Sequence, residues 1–241
     1  MEKTALSKDI IIKDMLHFLL ITVSMVLVFP YLYAYFVSLP FINQLLIKNS
    51  SIFFKTFLSA TYILVTPSSI LFVLKKYPLK EYGLCLPVKS QFFQFLSLSI
   101  GISLTPSLTP FIFPKIRAFY MPINFTTSFF FQLLLMWFYI AFCEEIFVRG
   151  FFQKYICFLK KYNIYFFNLP ILISALFSSS LHLLLLRTGI NNYLILFIMF
   201  SSSFSIGLVA SYYKDKTKSV FLPIVAHFVF YVITGSMSFF Y

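Results

Sequence analysis

Charged side chains are scarce in this sequence. Its 241 residues include only 19 lysines and arginines and seven acids, so 11% of the chain is charged while 60% is hydrophobic. A soluble domain typically carries about 25% charged residues. The deficit excludes an ordinary soluble domain and indicates a polytopic membrane protein.

Cysteine is also rare, and the three cysteines follow no metal-binding or redox spacing. We interpret Cys85, Cys143 and Cys157 as small buried hydrophobic residues rather than as redox or metal sites. No cleavable signal sequence is expected, because the first apolar run is too long for one and lacks a small-residue cleavage site. That run is predicted to remain as a helix.

The net charge of +12 raises the question of nucleic-acid binding. The cations fall between apolar runs instead of lining one soluble face, so we expect no nucleic-acid partner. Their alternation from loop to loop follows the positive-inside rule and predicts a cytoplasmic N-terminus and an outside C-terminus. The cation-rich stretches are residues 3–13, 75–89, 154–161 and 214–218.

Apolar segments of about 20 residues, long enough to span a bilayer, recur along the chain. The third contains Gly101, Pro106 and Pro110 and is expected to be kinked or broken. The predicted fold class is all-α, a polytopic integral membrane protein of about seven to eight transmembrane helices. The predicted segments are 16–38, 53–74, 91–113, 125–157, 166–186, 191–212 and 219–240.

Two acids and three histidines fall inside these segments. Glu144 and Glu145 close an uncharged run in the fourth, while His17, His182 and His227 lie in the first, fifth and seventh. An ionisable side chain inside a membrane is costly and is interpreted as functional by default. His17 lies only about one turn into its segment, so we interpret it as interfacial.

The depth of these side chains allows them to meet. Helical rise places Glu144 about 20 Å, His182 about 24 Å and His227 about 12 Å from the cytoplasmic ends of their segments. Two histidines and one or two carboxylates can hold Zn²⁺ with an open position for water. Alternatively, a buried glutamate assisted by histidine can activate water directly. A proton or cation pathway, or a self-neutralising Glu145–Arg149 pair, is also compatible with the spacing.

Four stretches of the chain are similar to motifs of one enzyme family. EEIFVRGFFQKYI, which begins at Glu144, resembles the E-E-x-x-x-R motif of the CPBP intramembrane endopeptidases, the CAAX-protease and bacteriocin-processing group. SALFSSSLH, ending at His182, resembles the second motif, F-x-x-x-H. The later stretch VAHFVFY carries His227 at the position of the third motif's histidine, and LKEYGLCLP resembles the Gly-Leu segment upstream of the core. Together they cover residues 78 to 235.

Two positions depart from the family pattern. The aromatic residue of the second motif lies five residues before His182, as Phe177, so Ser178 takes its usual place. The offset turns the ring by about 100°, and Phe177 is expected to pack differently. We interpret serines 178–180 as small packing residues. The third motif has Tyr231 where Asn or Asp is usual, which predicts altered specificity or weaker catalysis.

The resemblance implies hydrolysis of a peptide bond within or beside the membrane, in an intramembrane catalytic cavity. It implies that Glu144 activates water or serves as a metal carboxylate, with Glu145 as its neighbour or a ligand. Arg149 would position Glu145 through a charge-assisted pair. The implied site residues are Glu144, Glu145, Arg149, His182, His227 and Tyr231.

The histidines have two possible roles in the family, which is described both as metalloproteases and as glutamate proteases. His182 would assist the base or bind metal. His227, with Tyr231, would bind metal or stabilise the oxyanion. Where Zn²⁺ or another divalent metal is used, its implied ligands are Glu144, His182 and His227.

The resemblance also implies a biological setting. Residues 1–77 would supply N-terminal transmembrane helices and residues 78–241 the catalytic core of one integrated membrane domain. We expect a multi-pass protein of a bacterial cytoplasmic membrane that cleaves a small peptide or a membrane-anchored protein, in bacteriocin or peptide processing or in self-immunity. Its partners would be that substrate and the lipid bilayer. A non-proteolytic immunity or regulatory protein that retains the fold is the alternative, and a transporter comes third.

Overall fold

The computed structural model describes four stretches of the chain and a few single positions. The chain divides into two compact units, residues 1–58 and 59–241, and every element given below lies in the second. Apart from single positions, the helices predicted over 16–38 and 53–74 lie outside the described residues, and so does His17. The predicted division at residue 77 stays a prediction. The described stretches are residues 78–85, 92–112, 127–182 and 193–236.

The described part of the second unit is mostly helical, as predicted. A π-helical segment, Ile146–Phe152, continues directly from the α-helix Thr127–Glu145. A 3-10 helix, Ile156–Lys161, follows the short α-helix Gln153–Tyr155. Strands β1 (Asn163–Ile164) and β2 (Phe167–Asn168) pair as an antiparallel hairpin. The α-helices are α1 (Phe92–Ile112), α2 (Thr127–Glu145), α3 (Gln153–Tyr155), α4 (Leu169–His182), α5 (Tyr193–Thr217) and α6 (Phe221–Ser236).

The apolar helices are those of a membrane protein. Among the described residues, three stretches are long and apolar enough to cross a bilayer: Phe92–Thr109, Phe130–Lys161 and Leu196–Thr217. Helices α4 and α6 are apolar but shorter. The predicted count of seven to eight transmembrane helices therefore stays a prediction.

Helix α1 runs without interruption through Gly101, Pro106 and Pro110. Of the two expectations for this segment, the break is wrong, and the kink stays a prediction. A proline inside a helix removes one backbone hydrogen bond, whereas a break in lipid would leave several backbone groups without partners. The continuous helix is thus the less costly solution.

Helix α6 is surrounded by other helices, since it packs against α1, α2 and α5, while α4 packs along α5. The central apolar cluster takes Phe95 from α1, Ile206 from α5 and Leu222, Ala226 and Phe230 from α6. Close side-chain packing, rather than release of water, holds helices together in lipid. This packing fixes the position of the part of α6 that carries the buried His227.

The segment 78–85 is attached to the start of α6. Val220 N donates a hydrogen bond to the carbonyl of Gly83 (2.9 Å), and the Ser219 hydroxyl donates to the carbonyl of Cys85. Gly83 has φ +88°, and a Cβ there would lie 3.2 Å from the carbonyl oxygen of Lys218. Glycine is required at this turn for both reasons.

Helix α4 begins three residues later than the segment predicted over 166–186, because the β-hairpin occupies residues 163–168. The side chain of Asn168 accepts a hydrogen bond from the backbone N–H of Ile171 (3.2 Å) and so caps the helix. Pro170 lies in the first turn, where a missing N–H costs nothing. These two residues define the start of α4.

Asp215 joins the ends of several elements. Its carboxylate receives Lys160 (2.8 Å), Lys218 (3.1 Å) and the side-chain amide of Asn168 (3.2 Å). Helix α5 continues to Thr217, beyond the end predicted at residue 212. The cations predicted to form a loop at 214–218 therefore lie mostly on the last turn of α5.

Replacing Gly207 by alanine tests the close packing of α5 on α4. The added Cβ would lie 3.0 Å from Arg149 Nη2 and 3.3 Å from the backbone of Ala175. We expect the free energy of unfolding to fall by about 1–3 kcal/mol, because buried backbone must move. Thermal unfolding in detergent, followed by tryptophan fluorescence, measures the effect.

Gly101→Ala is the matched control. Among the described residues, a Cβ at residue 101 meets nothing within 4 Å, and alanine is the better helix former. We expect this variant to be as stable as the wild type or more stable. Equal destabilisation by both substitutions would contradict the packing described for α5.

Candidate active site

The two adjacent glutamates close α2, and Arg149 follows in the π-helical segment. A π-helical turn is rare and occurs often at functional sites. Aromatic rings pack on this segment from both sides. Tyr82 stacks on Phe151 (4.4 Å between ring centroids), and Phe177 stacks on Phe152 (4.6 Å).

Glu145 and Arg149 form an ion pair that is completely buried. Arg149 Nη1 lies 2.9 Å from Glu145 Oε1, and neither side chain has exposed surface. The guanidinium also donates to the Ser211 hydroxyl and to the Gly207 carbonyl, both at 3.3 Å. A buried charge is tolerated only when it is paired and hydrogen-bonded. Arg149 therefore makes the burial of Glu145 possible.

His227 contacts both glutamates through different ring nitrogens. Nδ1 is in direct contact with Glu145 Oε1, and Nε2 lies 3.9 Å from Glu144 Oε1. An ionised carboxylate only accepts hydrogen bonds, so we assign the proton of the neutral ring to Nδ1. Within the described part of the chain, both ring nitrogens are buried and neither makes a hydrogen bond of good geometry. With the proton on Nδ1, the lone pair of the ring lies on Nε2.

Glu144 has different surroundings from its neighbour. The Ser178 hydroxyl donates to Oε1 (2.5 Å), and the Tyr231 hydroxyl donates to Oε2 (2.7 Å). Glu144 is 8% exposed, whereas Glu145 is not exposed at all. The two acids are therefore distinct: one is neutralised by a cation, and the other is held by neutral hydroxyls and retains some surface.

The donor atoms also fit a divalent cation. Glu144, Glu145 and His227 each place a ligand atom within 4.8 Å of the others, and all three side chains are buried. Carboxylate oxygen with imidazole nitrogen is a ligand set that Zn²⁺ accepts. A carboxylate on Nδ1 is the usual support for a histidine that binds metal through Nε2. Since Arg149 occupies Oε1 of Glu145, the best placed ligands are Glu144 and His227.

The structure brings most of the predicted site residues together. His182 is the last residue of α4, but its side chain lies outside the described residues, so its role stays a prediction. The residues whose contacts join them in one cluster are Glu144, Glu145, Arg149, His227 and Tyr231.

Ser178 was not predicted to belong to this cluster. Its interpretation as a packing residue is wrong, because its hydroxyl contacts Glu144. Its position one helical turn before His182 was the available signal, since residues at i and i+4 share a helix face. Phe177 points elsewhere and packs on Phe147 and Phe152.

The cysteines take no part in this cluster, and all three are free thiols. The prediction that they are buried is right for Cys143 but wrong for Cys157, which is exposed on the 3-10 helix. Cys85 is partly buried and its thiol donates to the carbonyl of Lys218 (3.1 Å).

Comparison with models of known families gives one match. Residues 126–233 match the model of the type II CAAX prenyl endopeptidases, Rce1-like. The match confirms the resemblance to CAAX-type proteases predicted from the motifs, and it supports an intramembrane endopeptidase. The matched range, residues 126–233, includes every predicted site residue. Neither a curated protein nor a solved structure matches the chain.

Replacing Arg149 by methionine tests the buried ion pair. The change leaves Glu145 as an unpaired buried charge, so we expect a loss of about 3–5 kcal/mol in the free energy of unfolding. Glu145→Gln combined with Arg149→Met removes both charges and should recover part of the loss. Unfolding in detergent and the amount of folded protein in membranes measure both effects.

Lys154→Met is the control for this experiment. It breaks the Lys154–Glu81 pair (2.7 Å), in which the acid is 48% exposed. Solvent screens such a pair, so we expect a loss of less than about 1 kcal/mol. Similar losses for the buried and the exposed pair would contradict the role assigned to Arg149.

Proposed function

We propose that the protein hydrolyses a peptide bond inside the membrane and that Glu144 activates the attacking water. The match of residues 126–233 to the CAAX prenyl endopeptidases is the premise of the proposal. The observation that carries it is the environment of Glu144. A buried carboxylate is held by two neutral hydroxyls, and its Oε1 lies 3.9 Å from Nε2 of His227.

Glu144 is suited to act as a general base. Each carboxylate oxygen has two lone pairs and can accept more than one hydrogen bond. Glu144 accepts hydrogen bonds from two neutral hydroxyls, whereas Glu145 pairs with the guanidinium of Arg149. In the proposed reaction, Glu144 takes a proton from water, the oxygen attacks the peptide carbonyl, and the proton passes to the leaving amine as the C–N bond breaks.

Glu145 and Arg149 act on the reaction through His227. Glu145 holds the Nδ1 proton, and Arg149 holds Glu145. A positive charge that develops on the imidazole would be stabilised by Glu145, as in other carboxylate–histidine pairs. The Nε2–H of that protonated ring would then donate to the oxyanion, whereas the hydroxyl of Tyr231, the other predicted donor, is engaged with Glu144. His182 is proposed to assist the base.

Either a metal-dependent or a glutamate mechanism is compatible with these residues. Glu144 and His227 Nε2, with His182 as the predicted third ligand, would hold Zn²⁺ or another divalent metal. Such an ion would acidify its bound water and polarise the substrate carbonyl. In that case Glu145 and Arg149 still orient the imidazole.

The proposed setting is a bacterial cytoplasmic membrane, with the N-terminus in the cytoplasm, as the distribution of cations suggests. The substrate would be a small peptide or a membrane-anchored protein in bacteriocin or peptide processing or in self-immunity.

A non-proteolytic immunity or regulatory protein is the second candidate. Tyr231 favours it, because the hydroxyl that would meet an oxyanion is engaged with Glu144.

Comparing the peptides of cells that carry wild type, Glu144→Gln or His227→Ala tests proteolysis without knowledge of the substrate. We expect new peptide ends in membrane and secreted fractions with wild type alone. With a fluorogenic prenylated CAAX peptide and purified protein, Glu144→Gln should lower the cleavage rate by about 100- to 10,000-fold, because the base is lost.

Glu81→Gln serves as the control, since Glu81 is an exposed acid paired with Lys154. It should leave both readouts unchanged. Identical peptides from all variants, at equal protein levels, would exclude proteolysis and favour the non-proteolytic candidate. Full activity of Glu144→Gln would contradict only the role proposed for Glu144 and would leave proteolysis itself supported.

A further inference from the structure

Ser178 makes an unusual contact for a serine inside a membrane helix. Such hydroxyls commonly bond back to a carbonyl of their own helix. Ser179 does so with Ala175 (2.6 Å), and Ser180 does so with Phe177 (2.7 Å). Ser178 instead donates across to Glu144, at 2.5 Å, and both side chains are buried. Its contact joins α4 to the end of α2.

We propose that Ser178 is a positioning residue that, together with Tyr231, sets the orientation of the Glu144 carboxylate. The use of that orientation in hydrolysis rests on the function proposed above. The hydrogen bond between Ser178 and Glu144 does not depend on that function, so it can be tested separately.

The geometry explains why two donors are needed. The last torsion of a glutamate side chain is broad and nearly two-fold, so the carboxylate can turn about its terminal bond. A single donor restrains one oxygen. Ser178 on α4 holds Oε1 and Tyr231 on α6 holds Oε2. Donors from two different helices, one to each oxygen, fix the plane of the carboxylate.

The nature of the donors matters as well. Hydrogen bonds to an ionised group are shorter and stronger than those between neutral groups. A hydroxyl supplies such a bond without adding a positive charge. Arg149, in contrast, pairs with Glu145 and cancels its charge. Ser178 thus orients the base without neutralising it.

Carbon-13 NMR of protein labelled at the glutamate carboxyl carbons tests the contact. The sequence contains only four glutamates, Glu2, Glu81, Glu144 and Glu145, and Glu144→Gln assigns the signal of interest. We expect Ser178→Ala to move the Glu144 signal and Ser178→Thr, which keeps the hydroxyl, to restore it. Where Ser178→Ala does not fold, Ser178→Cys keeps the size and weakens the donor.

Ser179→Ala is the matched control. It removes the same atom from the neighbouring buried serine, whose hydroxyl bonds only to its own helix in the described part of the chain. This variant should leave the Glu144 signal in place. Any structural disturbance caused by losing a buried hydroxyl on α4 would appear in both variants.

Cleavage of the prenylated CAAX peptide measures the consequence. We expect Ser178→Ala to lower kcat by about 10- to 100-fold, as for the loss of one hydrogen bond to a charged group. KM should stay the same, because Ser178 acts through Glu144. Ser178→Thr should recover most of the rate, and Ser179→Ala should retain it.

A Glu144 signal that does not move in Ser178→Ala, or one that moves equally in Ser179→Ala, overturns the proposal. A displaced signal with unchanged kcat overturns it too. A displaced signal with reduced kcat supports it. Where wild type neither cleaves this peptide nor produces new peptide ends in cells, the proposed function fails, and the carboxyl signal still decides whether Ser178 orients Glu144.

Discussion

The buried ion pair between Glu145 and Arg149 is the constraint on which the rest of the site depends. Two charges without exposed surface require close, well-placed partners, since their desolvation is costly. Gly207 permits the guanidinium to approach α5, and Ser211 supplies a hydroxyl to it. His227 receives its orientation from the same carboxylate. The pair therefore fixes three helices relative to one another.

The pair also makes two adjacent acids chemically different. Consecutive side chains on a helix point about 100° apart, so Glu144 and Glu145 face different neighbours. Glu145 meets a cation and an imidazole, while Glu144 meets two hydroxyls. One acid is committed to structure and orientation. The other accepts hydrogen bonds from neutral hydroxyls on two other helices, an environment that suits the base or metal ligand proposed above.

Helix α6 brings the remaining groups to these acids. His227 and Tyr231 are four residues apart and therefore lie on one face of α6, which contacts α2. The segment 78–85 holds the start of α6 through Gly83 and Cys85. A motif far upstream of the acids thus contributes by fixing the helix that carries the histidine.

The membrane character, the helical class and most of the acidic and histidine cluster follow from the order of residues, because charges inside apolar runs are rare and costly. Three features did not follow. They are the π-helical turn, the unbroken α1 and the contact of Ser178 with Glu144. The unbroken α1 follows from the cost of unpaired backbone groups in lipid, and the serine contact arises from packing between segments distant in sequence. A local pattern records which face a residue lies on. It does not record which neighbour meets that face. The contact of Ser178 with Glu144 was decided only by the packing of α4 against the π-helical segment that follows α2.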